Sequence, residues 1–217
     1  MGESVILHAE RSFLVCRKPV GVECEHELPA LLAEGMKCKA DSLYCIHRLD
    51  RAVGGVMVWA RTPKAAAELS RQVQEKALKK AYFAGCSGIP TPDAGEMRDL
   101  LFKDSVKQKS FAVISPRRGV KEALLDYRVL QTDVLNDSPA ALVRVALRTG
   151  RFHQIRCQFA TRGHPLLGDG KYGSRERGCT TALWSCRLAF FHPETHAPLV
   201  FEAAPPRVFP WDRFPWH

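Results

Sequence analysis

Short apolar runs separated by polar breaks open the chain and predict strands joined by tight turns. Runs at residues 4–8 and 13–17 flank a polar break at residues 9–12, which predicts an opening hairpin. The KPVG run at residues 18–21 then ends the second strand, because proline cannot donate to a strand ladder and glycine permits a turn. A short helix is expected over residues 28–36.

The apolar spacing becomes helical after a continuous apolar strand at residues 55–61. Thr62 is typical of a helix cap, and Pro63 is typical of a first helical position, where proline loses no hydrogen bond. The helix is expected to continue to about residue 77. Its inward stripe is predicted to consist of Ala66, Leu69, Val73 and Ala77.

The middle of the chain alternates strand patterns with turn-rich segments. Residues 79–84 predict a strand with exposed lysines at its entry, with Tyr82 and Ala84 on one face and Phe83 on the other. Residues 85–96, rich in Gly, Pro, Ser and Thr, predict a loop. A largely antiparallel sheet is predicted from four further apolar runs, at residues 100–103, 111–114, 123–131 and 140–147.

Arg156 occupies an unusual position in the helix predicted for residues 152–162. On a helical wheel it lies at the edge of an apolar face formed by Phe152, Ile155 and Phe159. A guanidinium at that position needs a carboxylate, unless the side chain reaches water along its apolar stem. The wheel leaves both alternatives open.

Beyond this helix the sequence predicts a loop, a hairpin and an irregular tail. Residues 164–173, with three glycines and a proline, predict a long shaped loop, and residues 182–191 and 199–203 predict the last hairpin. The tail, rich in Pro, Phe and Trp, is expected to pack on the body of the protein. We find no internal repeat and no long linker, which predicts a single domain over residues 1–217.

The charge balance predicts an anionic partner. The 217 residues are 46% hydrophobic, as in packed globular proteins, but 32 basic side chains exceed 23 acidic ones, giving a formal charge of +9 and a pI near 9.3. Residues 103–121 hold six basic and one acidic residue, and residues 144–177 hold eight basic and two acidic. Such runs are usually solvated faces, but two of them in one modest chain favour nucleic acid.

Cysteine usage and the absence of targeting patterns predict a cytoplasmic location. Eight cysteines occur singly, without a CxxC pair, and are interpreted as reduced thiols. The N-terminus lacks the basic start and apolar run of a signal peptide, and no window approaches the roughly 18 apolar residues of a membrane span. We therefore expect no membrane partner, with an organelle open only if a presequence has been removed.

The CIHRLDR run at residues 45–51 is the strongest candidate for chemistry. It concentrates four ionisable side chains between two apolar runs, which predicts an exposed turn joining two core strands. Arg48 and Arg51 flank the run's only carboxylate, Asp50, and would hold it ionised in an open cleft. The alternative is a surface turn with ordinary ion pairs.

Metal and nucleotide sites are not expected. His192, His196 and Cys186 suggest zinc, but Pro193 interrupts the helix that would align the two imidazoles, and no fourth ligand is spaced nearby. The chain has no GxSxG nucleophile motif, and the GDG run at residues 168–170 lacks the strand and helix of a nucleotide-binding fingerprint. We therefore expect no metal and no cofactor.

Three separated segments carry motifs that belong together: HRLDR at 47–51 followed by Gly55, K-x-Y-x-A at 80–84, and TGRFHQIR at 149–156 continued by GHPLLGD at 163–169. In this order they resemble the motifs of RluA-type RNA pseudouridine synthases. The KPxG run near the N-terminus and Arg187-Leu188 with the closing hairpin also fit, so that the resemblance covers about residues 10 to 205.

The resemblance implies a fold, a reaction and three site residues. The fold is a single α+β catalytic domain with a central mixed, mainly antiparallel sheet flanked by helices and an active cleft between its two halves. We expect no N-terminal S4-like RNA-binding domain, no metal and no cofactor. The reaction is isomerisation of uridine to pseudouridine in structured RNA, with Asp50 as the catalytic aspartate, Tyr82 stacked on the target base and Arg156 paired with the aspartate.

Two departures from the family pattern lie near the expected site. Val53-Gly54 stands where the family commonly has Thr-Ser, and Trp184 replaces a frequent His. The first departure removes hydroxyl groups close to the active loop, and neither touches the three residues on which the assignment depends.

The expected partner is RNA, as a stem-loop of tRNA or ribosomal RNA, bound by a monomer. Asp50 would act as nucleophile at C1′ or as base at C2′, and the sequence leaves both routes open. The alternative function is a non-catalytic RNA-binding or chaperone protein on the same fold. Candidate RNA contacts are Arg48, Arg51, Lys107, Lys109, Arg117, Arg118, Arg151 and His153.

Overall fold

The computed structural model describes residues 5–214, and the chain divides into two compact units. The first unit contains residues 5–80 and Trp184–Pro205, and the second contains Ala81–Leu183 and residues 206–214. The strands are β1 (Ile6–Ala9), β2 (Phe13–Lys18), β3 (Tyr44–Cys45), β4 (Gly54–Ala60), β5 (Lys79–Ser87), β6 (Ala94–Asp104), β7 (Lys109–Val113), β8 (Val120–Leu135), β9 (Ser138–Leu147), β10 (Leu183–Phe191) and β11 (Pro198–Glu202). The helices are α1 (Glu27–Met36), α2 (Pro63–Gln74) and α3 (Gln154–Thr161).

Strand β4 lies at the centre of the first unit, where the strand order is β1-β2-β4-β10. Strand β3 also pairs with β4, and β11 pairs with β10. Strands β4 and β10 are parallel, whereas the other pairs are antiparallel. All seven positions of β4 are buried, which confirms the prediction of a strand covered on both faces. The surrounding core includes Phe13, Val15, Val56, Val58, Leu69, Leu188 and Phe190.

The second unit has the strand order β5-β9-β8-β6-β7. Three of its neighbouring pairs, from β9 to β7, are antiparallel, which confirms the sheet predicted for this part of the chain. Helix α3 packs against β6 and β7. Its buried Gln158 donates to the Met97 carbonyl at 3.1 Å and to Asp99 Oδ2 at 2.7 Å. Helices with mixed, mainly antiparallel strands confirm the α+β class.

Helix α2 begins as predicted but ends earlier, and its inward face also includes a polar residue. Thr62 caps it by accepting the Ala65 N–H at 3.2 Å, but the helix ends at Gln74 and not near residue 77, so Ala77 lies outside it. The other predicted stripe positions face the core: Leu69 is buried, and the half-buried Ala66 and Val73 pack against the same cluster. Ala65 and Gln72 are buried as well, which the prediction did not include. Gln72 can be buried because its carboxamide both donates to the Phe191 carbonyl at 2.9 Å and accepts the Phe191 N–H at 2.8 Å.

Two predicted boundaries in the second unit were also wrong. The loop predicted at residues 85–96 is confined to residues 88–93, because β5 continues to Ser87 and β6 starts at Ala94. Helix α3 starts at Gln154, two residues later than expected, because His153 has a left-handed conformation with φ of 51°. The Gln154 side chain then accepts the Arg151 N–H at 2.9 Å.

The closing hairpin and the tail follow the sequence pattern. Strands β10 and β11 pair in antiparallel register from Arg187 with Glu202 to Phe191 with Pro198. The tail forms a short 3-10 helix, and Trp211 and Phe214 are buried, which confirms that it packs on its unit. Within residues 5–214, no helix combines the length and the apolar character that a membrane crossing requires.

Candidate active site

Asp50 lies on the connection between β3 and β4, here called the Asp50 loop (residues 46–53). Antiparallel pairing of these two strands places the loop between them, as predicted, but β3 is exposed at both of its positions and is not a core strand. The Asp50 carbonyl accepts the Val53 N–H at 2.9 Å, which closes a turn, and Asp50 itself is half-buried. The expectation that the whole run is exposed was wrong for His47 and Leu49, which are buried. Burial and the nearby Lys80 hold the pKa of His47 well below its ordinary value.

The two arginines beside Asp50 have partners other than those predicted. Arg48 forms an ion pair with Glu25, and Arg51 lies 3.1 Å from Glu27 and donates to the Gly21 carbonyl at 2.7 Å. The sequence placed them around Asp50 because it was the only carboxylate in the run. Folding instead brings glutamates from 20 or more positions away to these exposed guanidinium groups, which form the surface ion pairs of the alternative interpretation.

Lys18, which the sequence analysis treated only as the end of a strand, supports the Asp50 loop. Its side chain is fully buried, and its ammonium donates to the carbonyls of Pro19 at 2.9 Å, Val22 at 2.6 Å and Arg51 at 3.2 Å. Burial lowers the Lys18 pKa, while the charge of Asp50 is among those that oppose this shift. Lys18 therefore ties the loop to the KPVG segment, and the KPxG motif was the signal that could have identified it.

Two thiols hold further carbonyls of the Asp50 loop. Cys24 Sγ donates to the Leu49 carbonyl at 3.2 Å, and Cys45 Sγ donates to the His47 carbonyl at 3.2 Å. Burial raises the pKa of Cys24, and it raises that of Cys45 to about 11. Both thiols thus keep the proton that they donate. All eight cysteines of the chain are free thiols.

Tyr82 and Lys80 lie on β5 in the K-x-Y-x-A motif. Tyr82 is 5% exposed and, as predicted, alternates with the half-buried Phe83. The expectation that both entry lysines are exposed was wrong for Lys80, which is half-buried. Burial lowers its pKa to about 8, with Cys45 acting in the opposite direction. The low exposure of Tyr82 fits both a shaped base pocket and an ordinary core tyrosine.

Arg156 has a carboxylate partner, which is one of the two alternatives that the helical wheel left open, and that partner is Asp169. Its Nε and Nη2 lie 2.6 and 2.8 Å from the two oxygens of Asp169, and both side chains are almost completely buried. The guanidinium also lies over the Tyr172 ring, 5.2 Å from its centroid. Asp169 closes the GHPLLGD motif, but nothing in the sequence pattern singled it out as the partner of Arg156. The pairing of Arg156 with Asp50 stays a prediction.

The first basic run forms a surface of cations over aromatic rings in the second unit. Lys107 and Lys109 lie 5.7 and 5.5 Å from the centroid of Phe111, and Arg117 lies 4.8 Å from that of Phe102. Such contacts hold cations outward without neutralising them. In the part of the chain that the structure describes, none of the four candidate RNA contacts of this run forms an ion pair: Lys107, Lys109, Arg117 and Arg118.

Part of the positive charge of the second basic run is paired with carboxylates in the folded chain. Arg148 forms a bidentate pair with Asp126, and Arg162 pairs with Asp99 at 2.8 Å, so carboxylates from other strands offset part of its charge. The second run still contributes exposed cations without such a pair among the described residues: Arg144, Lys171, Arg175 and Arg177.

The remaining two candidate RNA contacts lie at the start of α3. Arg151 donates to the Glu122 carbonyl at 2.8 Å. His153 stacks on Phe152 with ring centroids 3.8 Å apart, and its Nδ1 lies 3.1 Å from the Tyr172 hydroxyl. Both side chains are half-buried and already held, so they are less free to rearrange around a ligand than the exposed first run.

Solved structures define the class of this fold. Human RNA Pseudouridylate Synthase Domain Containing 1 superposes with a TM-score of 0.80 at 25% sequence identity, covering 96% of this chain and 87% of that chain. Human RNA Pseudouridylate Synthase Domain Containing 4 gives a TM-score of 0.74 at 24% identity, covering 93% and 88%. The fold is thus that of a pseudouridylate synthase domain.

Sequence comparisons agree with the fold. The family model described as RNA pseudouridylate synthase matches residues 12–161. Dual-specificity RNA pseudouridine synthase RluA of Yersinia pestis is 30% identical over 208 residues, covering 91% of this chain and 97% of the relative. The chain belongs to the RNA pseudouridylate synthase family, which confirms the RluA-type resemblance.

Other relatives are longer than this chain. An uncharacterized RNA pseudouridine synthase of Aquifex aeolicus is 36% identical over 174 residues, which cover 76% of this chain and 54% of the relative. Ribosomal large subunit pseudouridine synthase D of Neisseria meningitidis is 33% identical, with 74% and 45% covered. The chain thus spans about half the length of these curated relatives.

Proposed function

We propose that this protein is an RNA pseudouridine synthase that isomerises a specific uridine to pseudouridine in structured RNA. The observation that carries the proposal is the HRLD motif of a matched family on a loop whose carbonyls are held by Lys18, Cys24 and Cys45. A carboxylate on such a firmly held loop is positioned before the substrate arrives, which is what catalysis at a sugar carbon requires.

In this reaction the bond from N1 to C1′ breaks, the uracil turns, and a bond from C5 to C1′ forms while the C5 hydrogen leaves. Asp50 acts at the sugar, either as nucleophile at C1′ or as the base that removes a C2′ proton. The target uridine must first leave its stack, at a cost of a few kcal/mol, and stacking on Tyr82 offsets part of that cost.

Release of tritium from RNA labelled at uridine C5 tests the proposed activity. We expect release from at least one class of bulk cellular RNA. Absence of release from every class, together with salt-sensitive binding, would instead support the non-catalytic RNA-binding protein. Binding alone does not distinguish the two functions, because the basic surface serves both.

For the substrate we propose a stem-loop of tRNA or ribosomal RNA, modified in the cytoplasm by a monomeric enzyme. One relative is named a ribosomal large subunit enzyme, which supports ribosomal RNA, and another is named a dual-specificity RNA pseudouridine synthase, which supports more than one RNA target. An unpaired loop presents a uridine that is easier to extrude than one in a duplex. Mapping pseudouridines in RNA from cells with and without this protein identifies the nucleotide.

Substitutions of Tyr82 distinguish base stacking from a core role. Tyr82→Phe is expected to keep the fold and the stacking while removing the hydroxyl, whereas Tyr82→Ala is expected to lose about 1–3 kcal/mol of base interaction. Kinetics are to be measured at a temperature where both variants are folded. If Tyr82 is only a core residue, the activity of the Ala variant will fall in step with its thermal unfolding.

The exposed arginines of the first basic run are expected to contribute to affinity without choosing a sequence. Replacing Arg117 and Arg118 together by Ala should weaken binding to all RNAs alike and reduce the slope of log K against log salt by about 1.4 to 1.8, since each phosphate contact contributes about 0.7 to 0.9. A control with the same change in charge is the replacement of Lys37 and Lys39 by Ala, since both are exposed lysines of the first unit. An unchanged slope would place the RNA on another surface.

A further inference from the structure

Gly54, the residue that follows the Asp50 loop, faces the indole of Trp184. The two residues are partners in the parallel register of β4 and β10, and Trp184 is only 4% exposed. A Cβ added at Gly54 would lie 2.9 Å from Trp184 Cε3 and closer still to Cζ3, with Val20 Cγ2 at 3.0 Å on another side. The ring therefore leaves no space for any side chain at residue 54.

The adjacent glycine is required for a different reason. Gly55 has φ of 119°, and a Cβ there would collide with the backbone of Ser185, so the backbone itself demands glycine. Gly54 lies outside the left-handed region, and its backbone accepts an ordinary residue. What excludes a side chain at Gly54 is therefore side-chain packing, chiefly the Trp184 ring.

The Trp184 ring is fixed where it lies. Its Nε1 donates to the Ala203 carbonyl at 2.8 Å, and the next residue, Ser185, donates its hydroxyl to the Val56 carbonyl at 3.0 Å. These two hydrogen bonds hold Trp184 and Ser185 of β10 in place, the second of them directly to β4. A larger residue at Gly54 would consequently displace the start of β4 and the Asp50 loop rather than the indole.

We infer that Trp184 is a positioning residue for Asp50, and that Gly54 and Trp184 act as one coupled pair, the missing side chain at residue 54 making room for the indole. The path from the Trp184 ring to Asp50 involves few residues. Gly54 follows Val53, whose N–H bonds the Asp50 carbonyl at 2.9 Å. The loop is thus held by Lys18 at Arg51 and by the Trp184 ring at Gly54. This inference rests on the proposed activity.

A double-mutant cycle of Gly54→Ser, Trp184→His and the combined variant tests this coupling. Gly54→Ser forces a collision and Trp184→His opens a cavity, so we expect each to lower Tm by roughly 3 to 10 °C. Each should also lower kcat roughly 10- to 100-fold at nearly unchanged KM, because the carboxylate is displaced and not the RNA. The combined variant should recover Tm and kcat above either single variant.

Leu69→Ala, in the core of the first unit, is the matched control for lost stability. It should lower Tm while leaving kcat at 25 °C unchanged. Gly54→Ala with Trp184→Phe forms a second, milder cycle if a member of the first does not fold. The inference would be overturned if the losses of Tm and kcat in the two single variants simply added in the combined variant. It would also be overturned if kcat followed Tm along one trend in all variants, Leu69→Ala included.

Hydrogen exchange of the amides of residues 50–53 provides a readout independent of activity. Faster exchange is expected in both single variants and protection is expected to return in the combined one. If the wild-type protein releases no tritium from any RNA, the proposed activity is wrong, but hydrogen exchange and Tm in the double-mutant cycle still show whether Gly54 and Trp184 are coupled. If tritium is released but hydrogen exchange is unchanged in every variant, only the positioning role of Trp184 is wrong.

Discussion

Replacing Asp50 by Asn is expected to lower the rate of tritium release by on the order of 10³-fold or more while leaving the protein folded. The amide has the shape of the carboxylate but is neither a nucleophile nor a useful base, so both routes open to Asp50 lose their reacting group. The fold should persist because three backbone carbonyls of the loop accept hydrogen bonds from Lys18, Cys24 and Cys45, and the substitution leaves these bonds in place.

The experiment compares single-turnover tritium release by wild type, Asp50→Asn and Asp41→Asn. Asp41 is an exposed aspartate of the same unit, and its substitution should leave the rate unchanged. Thermal unfolding of the three proteins shows that any loss of rate is not a loss of fold. A near wild-type rate for Asp50→Asn would exclude Asp50 as the catalytic aspartate.

Breaking the buried pair of Arg156 and Asp169 is expected to have the largest effect on stability. Asp169→Asn removes the negative charge that accepts two hydrogen bonds from the buried Arg156, which is 6% exposed. Buried pairs broken in this way cost about 3–5 kcal/mol of unfolding free energy. The variant is therefore expected to unfold at a much lower urea concentration than wild type.

Asp126→Asn provides a matched comparison on the surface. Asp126 also forms a bidentate pair, with Arg148 at 2.6 and 2.7 Å, but both side chains are exposed. Its loss should cost about 0–1 kcal/mol. Urea denaturation of both variants measures the contrast, and similar midpoints would show that burial of Arg156 carries no such energetic penalty. Replacing both partners, as Arg156→Met with Asp169→Leu, should restore much of the stability.

The sequence by itself determined the elements whose signals are local. The apolar run of β4 predicted a buried strand because a strand covered on both faces has no polar alternation. Thr62 and Pro63 predicted where α2 begins, since capping involves residues within one turn. The ordered motifs around Asp50, Tyr82 and Arg156 likewise identified the family that the comparisons confirm.

Only the tertiary structure decided which groups meet. A helical wheel left Arg156 with either a carboxylate partner or a path to water, because a wheel describes one helix and could not select Asp169, 13 residues away. For the same reason the pattern could not show that Gln72 is buried against Phe191, or that Arg48 and Arg51 pair with Glu25 and Glu27.

Gly54 and Trp184, the two departures from the family pattern, show most directly the difference between what the sequence predicts and what only the tertiary structure decides. From the sequence, Gly54 and Trp184 are separate substitutions 130 positions apart. The parallel register of β4 and β10 makes them neighbours, and the volume of the indole then explains the absence of a side chain at residue 54. Periodicity indicates which face of an element is covered. The partner that covers it is set by packing between elements distant in sequence, which local patterns do not encode.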